Sequence, residues 1–114
     1  MDVEGYRRGI RLFNHRHYYD AHEVWEDVWR EERGPEKKFL QGLIQVAVAL
    51  HHHSTGNAVG ACSLLGRARK NLVGYPEEFG GIRLTDLLAS IELWRDALLS
   101  GAAAPEFPRI EEIE

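Results

Sequence analysis

One cysteine, Cys62, stands in a chain of 114 residues, and that scarcity excludes an intrachain disulfide and any multi-cysteine zinc or iron–sulfur site. A reducing compartment, the cytoplasm, is the setting it suits. Charge of one sign is also missing: 14 basic residues against 18 acidic ones leave a net charge of −4, which offers no attraction for nucleic acid or an anionic membrane. We expect neither partner. The longest stretch without a formal charge, Phe39 to Gly66, is broken by glycines, histidines and glutamines and does not read as a membrane span. The amino terminus sets acids ahead of Arg7 and Arg8 with no apolar run behind them, so no signal peptide is expected. Strand-length alternation is the last absence, and it leaves helices as the only regular element to build with.

Helical periodicity is what the chain has instead. Val3, Tyr6, Ile10 and Phe13 recur at helical spacing behind an Asp2 cap, and Asn14 is suited to end this first helix in a left-handed conformation. Tyr18, Ala21, Trp25, Val28 and Trp29 form the stripe of a second helix, stopped by Gly34-Pro35. Pro35 suits the first turn of a third, central helix that runs to Thr55-Gly56-Asn57 with apolar residues around much of its circumference. Ala61, Leu64, Leu65, Ala68 and Leu72 give a fourth helix, with Arg67, Arg69 and Lys70 on a solvated outer face. Thr85 or a neighbour caps a fifth, with Leu87, Ile91, Trp94 and Leu98 inward and Gly101 closing it.

The expected fold is therefore all-α: a bundle of about five helices in one domain over residues 1–101, followed by an extended tail, 102–114, lying across it. Gly9, Leu12, Tyr18, Ala21, Trp25 and Val28 approach the small-and-large spacing of a tetratricopeptide hairpin, and Ala61, Leu65 and Ala68 partly repeat it. Antiparallel hairpins packed in that manner are the expected arrangement. A domain this small can also bury spare apolar surface against a copy of itself, so a homodimer is open.

Chemistry-bearing side chains concentrate on the second and third helices. His22 and Glu26 stand four residues apart and share a face, while Glu23 and Asp27 turn toward flank and surface. The order His-Glu-x-x-Glu resembles the His-Glu-x-x-His of zinc hydrolases, with a carboxylate in place of the second imidazole. On the third helix Gln41, Gln45 and His52 project within about 40° of one another on a span free of lysine, arginine and acids, which suggests that they face a neighbouring helix. The second helix is the expected opposite wall, with Gly42 and Ala49 allowing its close approach. Two readings follow. In one, His22, Glu26 and His52 hold a divalent transition metal, and Gln41, Gln45 and Trp29 complete a ligand pocket; Glu23 could then accept a proton from metal-bound water in hydrolase-type chemistry. In the other, the same groups satisfy one another as a buried hydrogen-bond network in a non-catalytic interaction or structural domain. No complete catalytic set is present. His51 and His53 point about 100° away on either side of His52 and are read as core-edge or surface residues.

Phe13-Asn14, Tyr19, Ala21-His22-Glu23-x-Trp25-Glu26-x-x-Trp29, Phe39-Leu40-Gln41-Gly42-Leu43-Ile44-Gln45, His52 and Gly56-Asn57 together resemble the bacterial and archaeal family catalogued as domain of unknown function 309. The resemblance implies a small all-helical fold and marks His22, Glu26 and Trp29 as the motif positions, with Glu23, Gln41, Gln45 and His52 as associated polar ones. It implies no particular activity, substrate or cofactor.

Overall fold

A computed structural model describes residues 1–113 and contains the five helices that the periodicity predicts. They are α1 (Val3–Asn14), α2 (Tyr18–Arg30), α3 (Pro35–Ser54), α4 (Ala58–Leu72) and α5 (Leu84–Ser100), with one 3-10 turn at Phe79–Gly81 before α5. No strand forms among the described residues; a single isolated bridge joins Ile82 to Glu112. None of the helices is long and apolar enough to cross a membrane.

Local chemistry explains most of the boundaries. Asp2 Oδ1 accepts from the Gly5 amide at 3.0 Å and Asn57 Oδ1 from the Gly60 amide at 2.9 Å, each satisfying one of the donors that a helix start leaves free. Pro35 occupies the first turn of α3, where its missing amide hydrogen costs nothing. Two expectations are corrected. Asn14 keeps a helical conformation, and Arg16 takes the left-handed one with φ of 65°; the Asn14 side chain is committed elsewhere, to the tail. Thr85 does not cap α5, whose cap position is Arg83 with no side-chain bond. Buried Ile82 and Leu84 fix that start instead, and the Leu84 amide donates to the Glu77 carbonyl at 2.8 Å.

Each helix packs on the next in chain order, with α3 between α2 and α4; the short connections from α1 to α4 make those pairs antiparallel, and the contacts Arg69–Glu92 and Gly66–Arg95 set α5 antiparallel to α4. Two glycines set how closely they approach. A β-carbon at Gly9 of α1 would overlap the Trp25 indole, and one at Gly42 of α3 would press into the Leu72 side chain. With Gly9 bare, Trp25 lies fully buried against α1 and its Nε1 donates to the Tyr6 carbonyl at 3.0 Å. The core runs on through Phe13, Phe39, Leu43, Leu50, Leu65 and Trp94, all within 1 % of full burial.

The tail is extended and hydrogen-bonded to three separate parts of the bundle. Asn14 bonds both backbone groups of Ile110, donating from Nδ2 at 3.0 Å and accepting at Oδ1 at 2.8 Å. Trp94 Nε1 donates to the Glu106 carbonyl at 3.0 Å, and the Ile113 amide donates to the Gly81 carbonyl at 2.8 Å. Ile110 is buried by these contacts. The last residue of the expected 102–114 segment lies outside the described residues.

Candidate functional site

The outer stripe of α2 is built by helical spacing. Ala21, Trp25 and Val28 face the core, which turns Tyr19, His22, Glu26 and Trp29 together toward the seam with α3. His22 Nε2 and Glu26 Oε2 are 2.8 Å apart, as the four-residue spacing predicts. Glu26 then passes the chain of charges on, through Oε1 to Arg30 at 3.1 Å, and Arg30 reaches Asp27 at 2.7 Å. Glu23 is exposed, as expected for the flank. The four charged or ionisable groups thus form one ladder within a single helix.

Two contacts cross the seam. The Tyr19 ring lies 5.6 Å from His22 and 5.4 Å from His51 of α3, centroid to centroid. At the other end Lys37 Nζ sits 4.2 Å above the Trp29 ring, in cation–π range. Lys37, Ile44 and His51 are spaced by seven, nearly two helical turns, so they mark the line of α3 that meets α2. Tyr19 is 53 % exposed and stands as the aromatic tip of this surface.

The other expected members lie elsewhere. Gln45 Oε1 accepts from Asn71 Nδ2 of α4 at 2.7 Å, and His52 Nδ1 is 3.3 Å from Asn57 Nδ2 at the α3–α4 turn. Gln41 is exposed. The polar stripe of α3 therefore faces α4 and solvent rather than α2. The reason is Gly42: it sits beside that stripe and admits Leu72 of α4, so the close neighbour it allows is α4. His51, one step around the helix, occupies the place anticipated for His52.

The three expected metal ligands are not brought together in this structure. His22 and Glu26 pair, His52 does not join them, and among the described residues no group of three or more His, Cys, Asp or Glu side chains is placed to hold a metal ion. One feature of the pair stands out: His22 Nδ1 is buried with no hydrogen-bond partner, and so is Trp29 Nε1 on the same stripe. With Nε2 engaged by Glu26, only Nδ1 of the imidazole remains uncommitted. A carboxylate on one ring nitrogen fixes ring orientation and the tautomer at the other, so Glu26 orients the His22 ring.

Sequence reasoning underrated Tyr19, His51 and Lys37. Their common signal was present in the seven-residue repeat from Lys37 to His51 and in the three-residue step from Tyr19 to His22.

Buried tyrosines frame the far side of α2. Burial pushes the Tyr18 hydroxyl up to about 12, against a smaller lowering by Arg16, and its oxygen is buried without a partner. Tyr6 is raised further, first by burial and then by Glu112, and its hydroxyl donates to the Gly80 carbonyl at 2.7 Å.

Fold and site together define a small all-α bundle protein with a histidine–glutamate–tryptophan stripe on its second helix. The family model for a domain of unknown function (DUF309) matches residues 6–64, more than half of the chain, and includes that whole stripe. The chain belongs to the DUF309 family. It is 36% identical over 76 residues to an uncharacterized protein of Aquifex aeolicus, a match covering 66% of this chain and 23% of the relative. It is 41% identical over 51 residues to the uncharacterized protein YpuF of Bacillus subtilis, covering 44% of this chain and 29% of that one. The chain thus spans less than a third of the length of these relatives.

Proposed function

We propose that this chain is a non-catalytic interaction domain that presents the outer α2–α3 seam to a protein partner. The carrying observation is the dispersal of the polar groups: His22, Gln45 and His52 are each taken up by a different neighbour, Glu26, Asn71 and Asn57. That separation favours binding over a shared reaction centre. What remains open to a partner is an exposed tyrosine, Tyr19, flanked by imidazoles and by the acids Glu23 and Glu26. An aromatic anchor within a polar rim is the usual composition of a binding hot spot. The relatives support the same reading, since the matching segment is a minor part of each longer protein, as a portable module would be. Its single free cysteine suits action in the cytoplasm.

A photocrosslinking residue in place of Tyr19, introduced in the native host, tests this. We expect one discrete adduct, identifiable by mass spectrometry and lost on Glu23→Arg; no discrete adduct would reject the proposal.

The orphaned His22 Nδ1 favours a second reading, a small polar ligand that donates to it from the seam. Ligand loss on His22→Ala with stability retained would favour that reading; loss of stability alone favours the first.

A further inference from the structure

The basic residues of α4 gain a fourth cation from the fold. Arg67, Arg69 and Lys70 of α4 and Arg95 of α5 surround a solvent-open cleft of about 390 Å³, completed by Cys62, Ser63 and Gly66. The antiparallel packing of α4 on α5 brings Arg95 opposite Gly66, where a β-carbon would lie in ordinary contact with its Nε and Nη2 at 3.7 Å. The guanidinium accordingly lies along the floor of the cleft. Its Nε is buried and makes no hydrogen bond, and Glu92 Oε1 beside the same guanidinium is likewise buried without one.

Charge is what marks the cleft. Glu92 lies beside the cleft rather than in its lining, with Oε1 2.6 Å from Arg69 Nε and 3.7 Å from Arg95 Nη1. Among the described residues neither Arg67 nor Lys70 forms an ion pair. Four cations and no carboxylate line this cleft, which makes it strongly positive on a protein whose net charge is −4. The cations are held close by a helix pair rather than scattered along a surface, and planar guanidinium forks match the oxygens of a phosphate in geometry as well as charge. Their confinement to one cleft gives no track for a polymer backbone.

We propose that the α4–α5 cleft binds a small solute bearing a phosphate monoester dianion. Arg95 donates from the floor, Arg67 and Lys70 close over the anion from α4, and the Ser63 hydroxyl supplies a neutral donor at the rim. Glu92 competes with the anion for Arg69 and Arg95 and so sets the affinity. This site is separate from the α2–α3 seam and stands whether or not that seam binds a partner.

The test is calorimetric titration of the full chain with inorganic phosphate, against sodium chloride matched for ionic strength. Phosphate should give saturable heat that chloride does not. Arg95→Gln should weaken binding about tenfold, the loss of one charge-assisted donor, whereas Glu92→Gln should tighten it about threefold by removing the competing carboxylate. Arg8→Gln, an exposed cation on α1, should leave it unchanged. If circular dichroism shows Arg95→Gln to be unfolded, the pair Arg67→Gln and Lys70→Gln must produce the weakening instead. Absence of phosphate-specific heat, or equal affinity in the cleft variants and the parent, would overturn the site. Co-sedimentation with phosphatidylglycerol vesicles, absent in phosphatidylcholine, would overturn its assignment to a small solute.

Discussion

The α2–α3 seam and the α4–α5 cleft both collect charged and polar side chains, but they dispose of them in opposite ways. In the seam the groups close on one another: His22 on Glu26, Glu26 on Arg30, Arg30 on Asp27. In the cleft like charges are brought together from two helices, with Glu92 at its side. A ladder of near neighbours within one helix can form as soon as the helix does, and it stabilises what it belongs to. A convergence of cations from different helices is assembled only by tertiary packing, against electrostatic repulsion, and contributes no stability of its own. The conspicuous motif is therefore a feature of one helix, while the inconspicuous arginines are a feature of the packing of two.

The largest effect should come from breaking the frame that holds α2 in register for this comparison. Gly9→Ala drives a methyl into the Trp25 indole and displaces the bond from Nε1 to the Tyr6 carbonyl; we expect a loss of about 3 kcal/mol in urea unfolding. Alkaline pH should follow, through Tyr18. Burial raises its hydroxyl from the ordinary tyrosine value of 10.0 to about 12, so over that window the unfolded chain has released a proton that the folded chain still holds. Stability should therefore be full below pH 10 and fall as pH rises towards 12, and Tyr18→Phe should flatten that slope in thermal melts at several pH values.

Within the comparison itself, His22→Ala should cost about 1 kcal/mol, the worth of a partly exposed pair, measured by chemical denaturation. Arg95→Gln should instead change stability by less than about 0.5 kcal/mol, or raise it, because it relieves repulsion. Equal losses at the two positions would erase the distinction between ladder and cleft. The smallest effect should be Lys37→Ala, about 0.5 kcal/mol from the cation lying over Trp29, read from a double-mutant cycle with Trp29→Phe.

The sequence was most informative where a single helix decides the outcome. Asp2, Asn57, Pro35 and Gly101 mark ends by local chemistry, and the apolar stripes give the inward faces, so five helices were legible. The His22–Glu26 pair was legible for the same reason, being a matter of spacing along one helix. What failed was the assignment of faces between helices. Gln41, Gln45 and His52 do share a side of α3, but the choice of α2 or α4 as the neighbour on that side depends on which helix approaches Gly42, and Leu72 does. Polar company was weighed in choosing His52; the seven-residue line from Lys37 through Ile44 to His51 was the better guide to the seam. Arg95 was beyond reach in the same way, since nothing local ties it to α4 residues some thirty positions earlier. Asn14 shows a further limit: its side chain serves a partner, Ile110, that is 96 residues away.

The central claim is that His22 is a rung of a ladder within α2, held through Nε2 by Glu26. Nitrogen-detected NMR of the imidazole in protein purified without a tag, recorded before and after an equimolar addition of zinc, tests it most directly. The account predicts an Nε2–H bonded to Glu26 in both spectra, with resonances unchanged by the metal. Loss of that Nε2–H on zinc addition, with stoichiometric zinc retained by the parent and not by His22→Ala, would contradict it.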